Sequence, residues 1–222
     1  MKRRGAGVRR AFALLTAFLA APLGYAARLP PPGSYVLNRI QRAPSALLLN
    51  AEGNIVELGS ATHGAVTALG FFYAECHDPQ GCPVAWSTFE AARAEASLDP
   101  LLKTRLRLVF VSLDPERDTP SVIRLLQEGE AQGVIPWLIL TARSGGELAP
   151  LLAALGQDIG FETDAAGRKT GVINHLLKVF LIDPEGYVRE IYTTAYLTPE
   201  NLLNDARTLA IAFPQASNGV PP

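Results

Sequence analysis

Cys76 and Cys82, six positions apart, are the only cysteines of the chain and the residues best suited to chemistry. Cys82 precedes Pro83 and a predicted helix, so we expect its thiol at a helix N-terminus, where partial positive charge favours the thiolate. A thiolate binds soft metal ions and attacks disulfides. The pair can therefore form a metal site, a redox couple or a structural disulfide, which is the usual fate of paired cysteines in exported proteins.

The residues between the two cysteines predict that the thiols approach each other. Asp78-Pro79-Gln80-Gly81 places Asp, Pro and Gly at the first, second and fourth positions of a β-turn, which brings its ends to within about 7 Å. A disulfide that closes so short a loop removes little conformational entropy from the unfolded chain, and a domain of this size has core enough without it. These arguments favour a working site over a structural disulfide.

A third ligand can come from the histidines, of which the chain has three. His175 lies just before a predicted buried strand at residues 178–183. If that strand is antiparallel to the strand that ends before the cysteines, its preceding loop reaches them. Two thiolates suit Cu(I) and an imidazole also accepts Cu(II), so the cysteines with His175 would hold copper through a redox change. A histidine hydrogen-bonded to the backbone is the alternative for His175. His77, beside Cys76, is interpreted as a solvated turn residue, with a spare ligand or a proton donor near the thiolate as the alternative, and we assign no role to His63.

The hydrophobic pattern predicts an α/β fold that positions this loop. Continuous apolar runs, typical of strands buried on both faces, occupy residues 65–73, 107–113, 137–140 and 178–183. Between or after them lie predicted helices at residues 84–96 and after the caps Thr119, Ser144 and Thr198. This alternation indicates a central mixed sheet with helices on both faces. Residues 46–50 and 55–58 predict an N-terminal β-hairpin.

The N-terminal residues predict export. Residues 1–10 are basic, residues 11–21 are apolar, and Gly24-Tyr25-Ala26 offers a cleavage site, as in a secretory signal. We expect residues 1–26 to be a signal peptide or an uncleaved anchor, with a possible membrane tether through residues 11–27. In either case the folded part lies in the periplasm or on the outer face of the cytoplasmic membrane, where thiols meet oxidising conditions.

The remaining chain divides into a predicted extended arm (residues 27–45), the folded domain (46–213) and a flexible tail (214–222). The chain has 20 basic and 21 acidic residues, and five of the basic ones lie in the first 26 residues, so the remainder carries a net charge of −6. This balance excludes a nucleic-acid-binding protein, which has a basic surface. The charged stretch that begins at Asp114 is interpreted as a capped turn with a solvated salt bridge.

Taken in order, these motifs resemble the Sco/SenC family, thioredoxin-like copper-binding proteins that assist assembly of the copper centre of cytochrome c oxidase. The matching stretches are residues 70–73, Cys82-Pro83, residues 110–120 (FVSLDPERDTP), and His175 followed by residues 180–186. The resemblance implies a thioredoxin-like α/β fold and copper ligation by Cys76, Cys82 and His175. Here five residues separate the cysteines, whereas the family pattern has three, so the loop is wider.

Two functions follow as hypotheses. The first is an exported metallochaperone, a binding protein rather than an enzyme, which delivers copper to a membrane oxidase subunit or to another copper or thiol protein. The second is a thiol–disulfide oxidoreductase that uses Cys76 and Cys82 as its redox pair and does not require His175. If neither holds, the chain is an exported thioredoxin-like interaction module with an inert disulfide.

Overall fold

The computed structural model describes residues 29–76, 78–130 and 133–214. The predicted signal or anchor segment, His77 and the tail from residue 215 onward lie outside this part of the chain. The strands are β1 Gln41–Arg42, β2 Leu47–Leu49, β3 Ile55–Glu57, β4 Val66–Phe72, β5 Leu106–Ser112, β6 Trp137–Leu140, β7 Ile159–Thr163, β8 Lys169–His175, β9 Lys178–Ile182 and β10 Tyr187–Thr193. The helices are α1 Leu58–Thr62, α2 Cys82–Leu98, α3 Pro120–Gly129, α4 Gly145–Ala154 and α5 Pro199–Ala212. Within the described ranges, none of the helices has the length and apolar character needed to cross a membrane.

A six-stranded mixed sheet in the order β1-β10-β9-β4-β5-β6 forms the centre of the fold. Strands β4, β5 and β6 are parallel, whereas β9 is antiparallel to both β4 and β10. Every residue of β4 is buried, so both faces of this central strand are covered, as its continuous apolar run predicts. The predicted thioredoxin-like α/β fold is confirmed, and so is the N-terminal hairpin, formed by β2 and β3.

An aromatic cluster joins α2 to the sheet beside the cysteines. The rings of Phe89 on α2 and Phe110 on β5 stack with centroids 4.4 Å apart. Phe110 can lie across β4 because Gly70 has no side chain, and a Cβ atom at position 70 would come within 2.6 Å of the ring. Trp86 and Trp137 extend the cluster, with their rings 5.2 Å apart. This packing fixes the N-terminal half of α2 against the strand ends.

The predicted starts of α3, α4 and α5 are correct in position, although one differs in its hydrogen bonding, whereas α2 begins at Cys82, two residues before the predicted start. The Ser144 hydroxyl accepts a hydrogen bond from the Glu147 amide, and the Thr198 hydroxyl accepts one from the Asn201 amide. Thr119 precedes α3 as expected, but its side chain makes no capping bond. Its hydroxyl lies 2.8 Å from that of Ser121 instead.

Strands β7, β8 and β10 were not predicted by the sequence analysis. Strands β7 and β8 form a separate two-stranded hairpin, and β10 pairs with β9 in the main sheet. The turn of the β7–β8 hairpin is held by the Asp164 carboxylate, which accepts hydrogen bonds from the amides of Ala166 and Arg168. His175, expected in a loop, is therefore the last residue of a strand.

The first described residues lie along α5. Asn204 donates a hydrogen bond to the Pro30 carbonyl at 3.0 Å, and the Gly33 amide donates one to the Thr208 hydroxyl at 3.0 Å. Gly33 has a φ of +79°, and a Cβ atom there would lie 3.1 Å from Ile211. A glycine at this position thus permits both the turn and the close approach to the helix.

Candidate metal and thiol site

The loop after β4 folds back as its sequence predicts. The Cys76 amide donates a hydrogen bond to the Tyr73 carbonyl, and the Gly81 amide donates one to the Asp78 carbonyl, each at 3.1 Å. The Asp78 carboxylate also accepts a hydrogen bond from the Gln80 amide at 3.0 Å. The turn between the cysteines is therefore closed at both the backbone and the side-chain level, despite five intervening residues.

Cys82 is the first residue of α2 and is buried, whereas Cys76 is half-buried, and both are free thiols. The expectation that the helix N-terminus would lower the pKa of Cys82 is wrong. Burial and a hydrogen bond with the Cys76 thiol raise the pKa of Cys82 to about 12, although hydrogen bonds from the Tyr73 and Cys82 backbone oppose this shift. Desolvation of the thiolate outweighs the favourable field of the helix here.

His175 reaches the cysteine loop from the β7–β8 hairpin. Its Nε2 lies 3.9 Å from the Cys82 Sγ, and its ring meets the ring of Tyr73 edge to face with centroids 6.3 Å apart. The antiparallel pairing of β9 with β4, which the sequence argument required, is present. Burial lowers the pKa of His175, against the opposing charge of Asp78, and so favours the neutral imidazole that metal ions require.

A buried side chain lies beside the half-buried His175. Gln157 is buried, and its Nε2 donates a hydrogen bond to the carbonyl of Leu176 at 2.9 Å. Within the described residues, both Gln157 Oε1 and His175 Nδ1 are buried without a hydrogen-bond partner. Gln157 thus holds the backbone next to His175, and Nδ1 of the ring lies within the geometric limits of a hydrogen bond to none of the described residues.

The separation of sulfur and nitrogen fits a shared metal ion. With metal–sulfur and metal–nitrogen bonds of about 2.3 and 2.0 Å, the 3.9 Å distance corresponds to a sulfur–metal–nitrogen angle of roughly 130°. In the part of the chain that the structure describes, no set of three His, Cys, Asp or Glu side chains is already arranged as a metal site. A three-ligand set with Cys82 and His175 would require Cys76 to adjust its position.

Two clefts of different character meet at the cysteines. The larger, of about 820 Å³, runs between Cys76 and the β7–β8 hairpin and includes the carboxylates of Glu75, Asp78 and Asp158. The smaller, of about 200 Å³, lies on the other side of the pair and is lined by aromatic and aliphatic side chains that include Trp86. Cys76 lines both clefts, so it is the ligand candidate that an incoming molecule meets first.

The charged stretch at the end of β5 is more than the predicted solvated turn. Asp118 is buried and accepts hydrogen bonds from the Ala74 amide at 3.1 Å and from the Ser112 hydroxyl at 2.6 Å. Burial is the main reason that its pKa is raised, and these hydrogen bonds oppose the rise. Asp118 thereby holds the chain just before Cys76 against the end of β5.

Sequence reasoning missed Gln157 and the structural role of Asp118. A turn signal was nevertheless present at Asp164-Ala165-Ala166-Gly167, where an Asp and a Gly three residues apart separate two segments that can pair as strands. That hairpin would have placed His175 at a strand end rather than in a loop. Ile159 on β7 is the cross-strand partner of His175.

Comparison with protein families matches the chain to SCO1/SenC over residues 45–210. Arabidopsis thaliana ScoI with copper bound is 20% identical, with a TM-score of 0.58 over 74% of this chain and 98% of that chain. A SCO1/SenC family lipoprotein from Bacillus anthracis is 18% identical, with a TM-score of 0.65 over 79% of this chain and 99% of that one. BsSco, a member of the Sco family of cytochrome c oxidase assembly proteins in which a disulfide switch is described, is 19% identical, with a TM-score of 0.59 over 80% and 99%. A search of curated proteins found no match.

Proposed function

The chain belongs to the SCO1/SenC family, and we propose that it is an exported copper-binding protein that delivers copper during assembly of a cytochrome c oxidase copper centre. The observation that carries the proposal is the 3.9 Å approach of Cys82 Sγ and His175 Nε2. These residues are 93 positions apart in sequence and come from different elements. The copper held by Arabidopsis thaliana ScoI supports the choice of metal.

The proposed ligands are Cys76, Cys82 and His175. Thiolates favour Cu(I) and the imidazole extends the site to Cu(II), so this donor set tolerates both oxidation states. Cys82 and His175 are the anchored ligands, since one opens a helix and the other ends a strand. Cys76 lies on the loop and lines both clefts, so it is the ligand that a thiol of the acceptor protein would replace first.

Delivery of this kind requires a location where oxidase subunits expose their metal sites. The predicted signal or anchor segment at residues 1–26 supports export, as does the similarity to a lipoprotein of Bacillus anthracis. We propose the periplasm or the outer face of the cytoplasmic membrane as the location. The acceptor is a copper-binding subunit of a membrane oxidase or another copper or thiol protein.

Copper titration of the reduced protein tests the ligand set. We expect Cys76→Ser, Cys82→Ser and His175→Ala each to weaken Cu(I) binding by at least about tenfold, because each removes one bond to the metal. His63→Ala is the matched control, since His63 is an exposed histidine away from the thiol site. Competition with a chromophoric Cu(I) chelator under anaerobic conditions measures the affinity. Unchanged binding in all three ligand variants would refute the proposal.

A thiol–disulfide oxidoreductase is the second candidate function, favoured by two free thiols at either end of one closed turn and by the disulfide switch described for BsSco. Here Cys76 would attack the partner's disulfide and Cys82 would resolve the mixed disulfide. This function needs a reduction potential above about −300 mV, the range of structural disulfides lying below that value. It also predicts that His175→Ala retains dithiol activity. Loss of copper binding with retained activity would favour this candidate over delivery.

A further inference from the structure

We propose that Arg117 is a positioning residue that couples the cysteine loop to the strand carrying His175. This inference rests on the proposed copper site, because it concerns how the two halves of that site are held together. The β7–β8 hairpin is a separate two-stranded sheet, so backbone pairing to the main sheet does not fix His175 relative to the cysteines. Two residues, Leu176 and Leu177, connect His175 to β9 of the main sheet, and side-chain contacts to β8 add to this backbone link.

Arg117 makes contacts on both sides of this gap. Its Nη1 donates a hydrogen bond to the Glu75 carboxylate at 3.0 Å, directly beside Cys76 in sequence. Its Nη2 donates one to the Gly171 carbonyl at 2.6 Å, on β8 four residues before His175. One guanidinium group therefore bridges the cysteine loop and the strand that ends at His175.

A third hydrogen bond from the guanidinium group anchors the bridge. Arg117 Nε donates to the Asp114 carboxylate, whose side chain is 11% exposed, whereas that of Glu75 is 67% exposed. An exposed ion pair contributes little because water screens it and its side chains lose freedom. The link from Asp114 through Arg117 to β8 is therefore the stronger part of the bridge. The exposed Glu75 contributes little to its strength and helps to orient the guanidinium group.

Gly171 is adapted to this contact. Its φ is +98°, and a Cβ atom at this position would lie 2.3 Å from Arg117 Nη1. Any larger residue would push the guanidinium away from β8 and would also strain the backbone. The neighbouring Asp118 binds the Ala74 amide, so consecutive residues of one segment hold the same cysteine loop.

The test compares Arg117→Ala and Arg117→Lys with Arg168→Ala. Arg168 pairs with Asp164 at the turn of the same hairpin, and its side chain is 81% exposed. Arg168→Ala therefore removes one positive charge, as Arg117→Ala does, but leaves the contacts of Arg117 in place. We expect Arg117→Ala to weaken Cu(I) binding about ten- to a hundredfold, as loss of groups that orient ligands does. Arg117→Lys keeps the charge but lacks the planar fork, so it should restore less than half of the lost binding energy.

A second readout uses the reduced, metal-free protein. The NMR cross-peak between the His175 ring and the Cys82 side chain reports their approach, and we expect it to weaken in Arg117→Ala and to persist in Arg168→Ala. If the wild-type protein binds no copper, the proposed function fails while this readout still tests the bridge. If Arg117→Ala keeps both the cross-peak and copper affinity at the level of Arg168→Ala, the inference is wrong.

Discussion

Cys76 and Cys82 have different environments although they are close together. Cys82 is only 6% exposed and its pKa is raised to about 12 by burial and by the Cys76 thiol. Cys76 lines both clefts and is half-buried. In either candidate function Cys82 is therefore the retained thiol, and Cys76 is the one that exchanges with a partner.

This difference predicts unequal reactivity of the two thiols in the reduced protein. We expect iodoacetamide to alkylate Cys76 at least about tenfold faster than Cys82, because reaction requires an accessible thiolate. Mass spectrometry of the digested protein at successive times measures both rates. Cys76→Ser and Cys82→Ser provide the single-thiol controls. Faster labelling of Cys82 would mean that the loop opens to expose the helix N-terminus.

Gln157 predicts a second effect at the scale of a single residue. We expect Gln157→Leu to lower stability by about 0.5–1.5 kcal/mol, because the carbonyl of the exposed residue Leu176 loses its hydrogen bond from the buried Gln157 side chain. Since Leu176 follows His175, copper affinity should fall as well. Gln127→Leu is the control, as Gln127 also bonds to backbone, at Trp137 and Ile139, but away from the site. Equal copper affinity in the two variants would show that Gln157 acts on stability alone.

At the scale of elements, the packing of the Phe110 ring from β5 across β4 depends on Gly70. We expect Gly70→Ala to destabilise the fold by about 1–3 kcal/mol, since its Cβ would overlap the Phe110 ring. Urea unfolding measures the change. Gly160→Ala on β7 is the control, because its Cβ would meet no heavy atom of the described residues within 4 Å. Equal stabilities would indicate that Phe110 repacks without cost.

The junction between β5 and the cysteine loop predicts a pH dependence. The pKa of Asp118 is raised, mainly by burial, so the native state retains this proton at pH values where the unfolded chain has lost it. Native stabilisation from this proton is present below the usual aspartate pKa of about 3.9 and is lost as pH rises through the raised value. We expect Asp118→Asn to remove this decline, which sets in as pH rises above about 4. Urea unfolding of the wild type and of Asp118→Asn at a series of pH values measures the free energy of unfolding. The same dependence of this free energy on pH in both proteins would contradict the prediction.

The elements that sequence patterns could predict are those whose pattern reflects burial. Strands β4, β5, β6 and β9 are buried on both faces and have continuous apolar sequences. They could therefore be predicted without knowing which strands they pair with. Strands β7, β8 and β10 are partly exposed and carry mixed sequences, so their pairing becomes visible only in the fold. The site divides in the same way. The cysteine turn is local and was predicted, whereas the contacts of Arg117 and Gln157 join segments distant in sequence.

At the scale of the whole molecule, side-chain contacts join segments that lie far apart in the sequence. Residues near Pro30 are held by α5 through Asn204, and the thiol site joins residues from the loop after β4, from α2 and from β8. Copper that bridges Cys82 and His175 would therefore connect the main sheet with the β7–β8 hairpin. Such a bond exists only in the native state, so metal binding and folding are thermodynamically linked.

This linkage predicts how copper and disulfide formation compete. At a free Cu(I) concentration one hundred times the dissociation constant, the reduced protein should gain about 2.7 kcal/mol of unfolding free energy. Protein oxidised to the Cys76–Cys82 disulfide has lost both thiolate ligands, so we expect copper to add no stability to it. Urea unfolding of both forms, in chelator-buffered Cu(I) and without it, measures the difference, and His175→Ala should lie between the two forms. An equal gain in the oxidised protein would place the copper elsewhere on the molecule and remove the basis for delivery through these thiols.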